Sequence, residues 1–199
     1  MGRTARIDRD GVIAAGLALA DAGGLAAVTM AAVAARLGVT PMALYRHVGD
    51  KADLLDGMVE HLVTEVPPPT TGPWFDRLAR LAGAVRESAR RHPNVFPLLL
   101  QRPANTPGAR QVRDGVCSAL EEGGVDPARS AQVERLLSTA VLGFAASEAA
   151  GRFSHHSPRQ LDQDFALLLE MLLRFVESGV TTVDGAAPDP RGPPGAPLR

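Results

Sequence analysis

A chain of 199 residues has room for one large domain or two small ones. Hydrophobic residues make up 45% and charged residues 22%, which excludes disorder as the main state, and the net charge of −1 provides no bulk attraction to a polyanion. No apolar run approaches the roughly 18 residues of a membrane span, no apolar stretch follows the basic start MGRTARIDRDG as in a secretory signal, and the single Cys117 cannot close an internal disulfide, so a cytoplasmic protein is expected. Along the chain, Asp8 is the expected N-cap of a first helix, with Val12, Ile13, Leu17 and Ala20 at helical spacing and Gly23-Gly24 as its stop. Thr29 caps a short helix through Leu37, broken by Gly38. Thr40 caps a third, with Pro41 at its first position, predicted to run through about Val48. Asp50 caps a fourth, Asp53 adds negative charge to its first turn, and Leu54, Leu55, Met58, Val59, Leu62 and Val63 give it a wide apolar face.

Pro67-Pro68-Pro69-Thr70-Thr71-Gly72-Pro73 is the clearest break. Beyond it Trp74, Leu78, Leu81 and Val85 mark a helix ending near His92-Pro93, and a short apolar turn from Val95 to Leu100 precedes an irregular stretch from Arg102 to Pro107. Thr106-Pro107 opens another helix, which Gly123-Gly124 closes; Asp126-Pro127 starts a long one reaching about Phe153. Ser157-Pro158 starts the last, with Leu161, Phe165, Leu168, Leu172 and Val176 on one face and Gly179 after its end. Residues 180–199 hold five Pro and three Gly and read as a disordered tail. No stretch alternates with period two for long enough to argue a sheet, so the fold class is all-α.

The segment Thr29–Val48 is the most informative. Two short helices joined by Gly38-Val39-Thr40 have the layout of a helix-turn-helix, and Gly38 suits the turn because it takes a positive φ without a Cβ clash. Val33, Ala34, Leu37, Val39 and Leu44 are the residues expected to lock the pair onto the first helix. The second helix then shows solvent Thr40, Pro41, Met42, Ala43, Tyr45, Arg46 and His47, a set that stability alone does not select. Such a helix fits the major groove: Arg46 suits guanine or phosphate, Met42 and Ala43 suit thymine methyls, and Tyr45, His47 and Lys51 suit the backbone. Arg3, Arg6 and Arg9 read equally as a basic arm for phosphates or as a frayed terminus. On spacing alone, an ordinary helical hairpin with a solvated face explains the segment as well.

The stretch VTMAAVAARLGVTPMALYRHVGDKADLLDGMV resembles the DNA-binding unit of the TetR (tetracycline repressor) family of bacterial transcriptional regulators. The likeness covers about residues 8–63 and rests on Thr29 before the first helix of the pair, A-x-x-L-G-V through the turn, L-Y-x-H closing the reading helix and K-x-x-L-L opening the next. It implies a homodimeric, ligand-responsive repressor of double-stranded operator DNA, with an N-terminal three-helix DNA-binding unit and a helical C-terminal ligand-binding and dimerisation domain. It also implies phosphate contacts at Thr29 and Met30, base and backbone contacts along residues 40–47, and a backbone clamp at Lys51. This reading helix departs from the family in having few long polar donors, which leaves Arg46 as the best candidate for direct readout. The division expected is 1–49 for the helix-turn-helix domain, 50–66 for a connecting helix, 73–179 for ligand binding and dimerisation, and 180–199 for the tail.

In the longer of the last two helices, Ala140, Gly143, Ala145, Ala146, Ala149, Ala150 and Gly151 permit close helix approach; with the stripe from Leu161 to Val176, this is the expected dimer surface. The middle helices are expected to enclose a pocket for a small-molecule effector, lined by Trp74, Leu78, Phe96, Leu99, Gln101, Arg102, Val112, Val116, Leu136, Thr139, Phe144 and Glu148. The tetracycline repressor has a metal-ligating His just before the helix that starts here at Pro107; no His lies between Val95 and Val112, which disfavours magnesium–tetracycline. No convergent catalytic set is present. Ser154-His155-His156-Ser157 reads as a solvated connection, Cys117 as a small core residue, and His61 equally as a side chain reporting the pocket or as an exposed one, so neither enzyme activity, nor a cofactor, nor a metal is expected. The alternative to a regulator is an all-helical binding or protein-interaction module that does not recognise DNA specifically.

Overall fold

The computed structural model describes residues 7–102 and 106–178. The expected arm residues Arg3 and Arg6, the stop at Gly179 and the tail 180–199 lie outside the described residues. Those described form α-helices and turns with no strand: α1 Arg9–Gly23, α2 Met30–Leu37, α3 Pro41–Leu44, α4 Lys51–Thr64, α5 Trp74–Arg91, α6 Leu98–Gln101, α7 Pro107–Glu122, α8 Pro127–Ala149 and α9 Pro158–Glu177, with a short 3-10 turn at Leu25–Ala27.

Local chemistry sets most of the helix ends. Side-chain oxygens of Asp8, Thr29, Asp50, Thr106, Asp126 and Ser157 each accept a backbone N–H in the first turn that follows, and Gln160 returns the favour to Ser157 in a capping box. Gly38 closes α2 at φ 68°, the left-handed turn that a Cβ resists.

The helix expected from Thr40 to about Val48 is shorter than predicted. Thr40 sits at the N-cap with extended backbone, but its hydroxyl makes no capping bond, and the α-helix ends at Leu44. Past Leu44 the N–H groups of His47 and Val48 both turn to the Leu44 carbonyl (2.8 and 2.9 Å), so the backbone tightens into turns. Beyond Val48 the Arg9 guanidinium takes the His47 carbonyl (2.8 Å) and the Asp53 carboxylate takes the Gly49 N–H (2.8 Å), so no helix continues toward α4. The long eighth helix likewise ends at Ala149, and the chain reaches Phe153 through turns.

The N-terminal core is built from Val12, Leu17, Val28, Val33, Leu44, Val48, Leu54 and Met58, all at most 5% exposed, and it extends to Val95 and Leu98 around α6. Burying side chains of this size contributes about 1.5–3 kcal/mol each. Gly57 lets α4 lie against Ile13 of α1, where an added Cβ would come within 2.8 Å of Cδ1. Two further groups, one around Leu120, Val133 and Val176 and one around Ala89, Phe96, Ala145 and Ala146, hold the remaining helices together. Polar ties cross between the halves: Asn94 donates to the Ala20 carbonyl (2.9 Å), His92 meets Asp21 (3.0 Å), and Arg102 bonds Asp56 and the Ala52 carbonyl. In addition, the Glu60 carboxylate of α4 accepts the Gly108 N–H in the first turn of α7 (2.8 Å), and its other oxygen is buried without a partner.

Candidate DNA-reading element and cavity

Packing divides the segment from Thr40 to Val48 into two faces. Leu44 and Val48 are 0% and 1% exposed and anchor it, while Thr40, Pro41, Met42, Tyr45 and Arg46 face solvent and Ala43 and His47 are half-buried. Met42 is 72% exposed and Tyr45 48%, values that core packing does not produce. Beside this edge, Thr29 and Lys51 are exposed, and Met30 is half-buried against the core.

A network beneath it fixes its position. Arg9 spans Asp53 with two bonds, 3.0 Å from Nη1 and 2.6 Å from Nη2, while also holding His47; Asp53 N–H in turn donates to Asp50 (2.8 Å). From sequence Arg9 read equally as a phosphate contact or part of a frayed terminus, and Asp53 as a dipole effect; the fold pairs them across 44 residues. The Arg9 hydrogen bonds and the Gly49 N–H hold the Asp53 carboxyl down at about 2, against an ordinary 3.8. Because the folded value is the lower one, the stability it contributes is complete above about pH 4 and is lost as pH falls through about 2. Side-chain NMR of Asp53 should report a midpoint below 3. Arg9→Ala should return it toward the ordinary value, at a stability cost of at most about 1 kcal/mol for so exposed a pair. A wild-type midpoint at the ordinary value would remove the network.

Farther from this edge, a cavity of about 230 Å³ lies among α4, α5, α7, α8 and α9. Leu78, Phe96, Leu99, Val112 and Val116 line it, as expected. The other seven residues named from sequence lie elsewhere. Trp74 packs its ring over Gly123; Gln101 is exposed; Arg102 is taken by Asp56. Leu136 (57% exposed) and Thr139 point outward from α8. Phe144 packs on Phe153 and Phe165, and Glu148 is ion-paired. Helical phase explains the α8 misses: its inner face is Glu134, Leu137, Ser138, Val141 and Leu142, a run at i, i+3, i+4, i+7 and i+8, which Leu136, Thr139 and Phe144 do not share. Sequence reasoning also missed Leu62 and Val63 of α4 and Ser88 of α5, all on the cavity wall.

Arg86 was not anticipated at all. Its side chain is 8% exposed and is held by Glu148 (2.6 and 2.9 Å) and Asp162 (2.9 Å), with the rings of Phe165 and Phe144 at 4.7 and 5.6 Å. Arg90, one turn on, also bonds Glu148 (2.8 Å). Burial pushes the Glu148 carboxyl up, but the hydrogen bonds and charges of Arg86 and Arg90 together outweigh it and leave it below the usual range.

The surface expected for pairing is only partly exposed. Phe165 and Val176 are 6% and 2% exposed, so the stripe from Leu161 to Val176 faces the chain's own interior. Of the small residues on α8 and at its end, Ala145 and Ala146 belong to the core, whereas a Cβ at Gly143 would meet nothing within 4 Å and Ala150 is exposed. The apolar residues left outside are Leu167 (56%), Met171 (62%) and Phe175 (45%), about a third of a turn around α9, together with Leu136 of α8. Among the described residues no group of three His, Cys, Asp or Glu is arranged to hold a metal, and no helix is long and apolar enough to cross a membrane. His155 and His156 are exposed, His61 pairs with Glu65 (3.1 Å), and burial pushes the half-buried Cys117 thiol up.

Two family models match the chain: "Bacterial regulatory proteins, tetR family" over residues 12–58, and "Tetracyclin repressor-like, C-terminal domain" over 78–172. The chain belongs to the TetR family. The first match spans α1 to the middle of α4, the second the helices around the cavity. Among TetR-family relatives, the transcriptional repressor DrrR1 of Streptomyces coeruleorubidus is 28% identical over 174 residues; the match covers 85% of this chain but only 64% of DrrR1. The fold is shared with ActR of Streptomyces coelicolor, solved in complex with actinorhodin: 24% identity, TM-score 0.74, covering 86% of this chain and 96% of ActR. BioQ, solved with its double-stranded DNA operator, is 25% identical with a TM-score of 0.70, covering 85% of this chain and 99% of BioQ.

Proposed function

We propose that this TetR-family chain is a transcriptional repressor that binds a palindromic DNA operator as a homodimer and lets go when a small molecule fills its cavity. One observation carries the reading: α4 takes part in both sites. Lys51 and Asp53 at its start flank and position the exposed 40–47 edge, and Leu62 and Val63, about 16 Å further along, form part of the cavity wall. Lys51 and Thr29 grip phosphate, Met30 backs the supporting helix, and Arg46 reads a base edge. The division at about residues 49 and 66 follows from the same lever. A ligand that fits better when α4 is displaced shifts the population to a form whose two reading edges no longer match half-sites about 34–36 Å apart. BioQ bound to its operator and ActR bound to actinorhodin support the two halves of this reading. The work of such a protein is regulation rather than catalysis, in the cytoplasm where the DNA is.

The second copy sits on Leu136, Leu167, Met171 and Phe175, the large apolar side chains that α8 and α9 otherwise leave in water. Met171→Glu should yield monomers in sedimentation velocity and lower operator affinity at least tenfold, with helicity unchanged; a dimer of unchanged affinity would move the interface elsewhere. The reading as a whole is tested by titrating the full chain against duplexes from upstream of its own gene. Saturable, salt-sensitive binding to one palindrome supports it, and equal affinity for every duplex overturns it.

A further inference from the structure

We propose that Asp56 and Glu60 are positioning residues: they tie the two ends of the connection between α6 and α7 to α4, and so set where the reading edge stands. The inference rests on the reading of α4 as the link between operator and effector. Arg102, directly after α6, donates to the Asp56 carboxylate and to the Ala52 carbonyl (3.1 Å). Gly108, in the first turn of α7, donates its N–H to Glu60 Oε1 (2.8 Å). Ala52, Asp56 and Glu60 follow one another at i, i+4 and i+8, so one side of α4 carries both ends. Thr64, a turn further, closes on the same glycine: a Cβ at Gly108 would stand 2.8 Å from both Glu60 Oε1 and Thr64 Cγ2. The first turn of α7 comes this near to α4 only because residue 108 has no side chain.

Both ends also touch the cavity. Leu99, three residues before Arg102, and Ala109, next to Gly108, lie on its wall. The α4 helix itself meets the cavity through Leu62 and Val63, whose apolar contacts have no direction and tolerate sliding. Hydrogen bonds are directional and weaken steeply when misaligned. A shift of Leu99 or Ala109 therefore carries α4 along or breaks a tie, and either event acts on a helix whose first turn holds the Gly49 N–H through Asp53. Both groups are acidic, so removing either one favours a polyanion by charge alone. A loss of DNA affinity then reports position, not charge.

Anisotropy titrations of the full chain against the palindromic duplex from upstream of its gene, and against an unrelated duplex, test this below the thermal midpoint of every variant. Glu60→Ala should bind the palindrome at least about fivefold more weakly than wild type. Glu60→Gln, whose amide oxygen still accepts the Gly108 N–H, should restore binding. Gly108→Ala favours helix in α7 itself, yet should weaken binding as Glu60→Ala does, because the new methyl pries α7 from Glu60 and Thr64. The two together should lose little more than either alone, since both break one tie, whereas Asp56→Ala should add a loss of its own. Should Glu60→Ala not fold, Gly108→Ala carries the comparison. Wild-type affinity in Glu60→Ala or in Gly108→Ala, or a glutamine variant as weak as the alanine one, overturns the inference alone. A wild-type chain that treats every duplex alike overturns the regulator reading and this inference with it.

Discussion

Glu148→Leu should destabilise the chain by about 3–5 kcal/mol, because it leaves the Arg86 guanidinium buried with only the exposed Asp162 to answer its charge. For a chain of this size that is a fall in thermal midpoint of about 6–20 °C, read by circular dichroism. The decisive companion is Arg86→Met with Glu148→Leu: removing both charges should recover much of the loss, since the partners Phe144 and Phe165 can pack on a thioether. Arg90, 38% exposed, stays hydrated in either variant. The same carboxylate gives the wild type an acid limit. Its folded value is depressed, so its contribution is full above the ordinary carboxylate range and disappears as pH falls through the depressed value. A single variant as stable as wild type would show that the network ties α5, α8 and α9 together without holding them.

Arg46→Ala should abolish discrimination between operator and unrelated duplex while leaving the dimer intact. A lost bidentate base contact costs about 1–3 kcal/mol, and a symmetric pair loses it twice, so specific affinity falls by roughly thirty-fold to ten-thousand-fold. The alternative role, a phosphate contact, has a different signature: affinity falls alike on every sequence, and the salt slope drops by about one per contact. Anisotropy titrations against both duplexes at two salt concentrations separate the outcomes. Parallel losses would pass the reading role from Arg46 to its exposed neighbours Thr40, Met42 and Tyr45.

What the sequence made legible was local. Asp8, Thr29, Asp50, Thr106, Asp126 and Ser157 are capping residues in front of periodic apolar runs, and each caps its helix as expected. The family's motif around Gly38 and Lys51 was equally plain. The errors share a cause: each depended on a partner far away in the chain. The halt of the chain after Val48 is held by Arg9, 38 residues before His47. Arg86 looks like a surface charge until α8 and α9 bring Glu148 and Asp162 to it. On α9 both flanks are apolar, so periodicity identified a stripe around Phe165 without saying that it faces inward and that Leu167, Met171 and Phe175 face out. On α8 the wall positions were one step out of phase for the same reason.

The bond from Glu60 to the Gly108 amide has a consequence for pharmacology. If α4 must part from α7 to release the operator, a bond to a carboxylate worth about 1.5–3 kcal/mol is broken on every induction event. An inducer must then discriminate between the two conformations by at least about ten- to a hundredfold to make good that loss. A compound that fits both equally well will occupy the protein and leave the gene silent, however tightly it binds. Affinity screens will therefore return antagonists alongside inducers, and only a transcriptional readout will tell them apart.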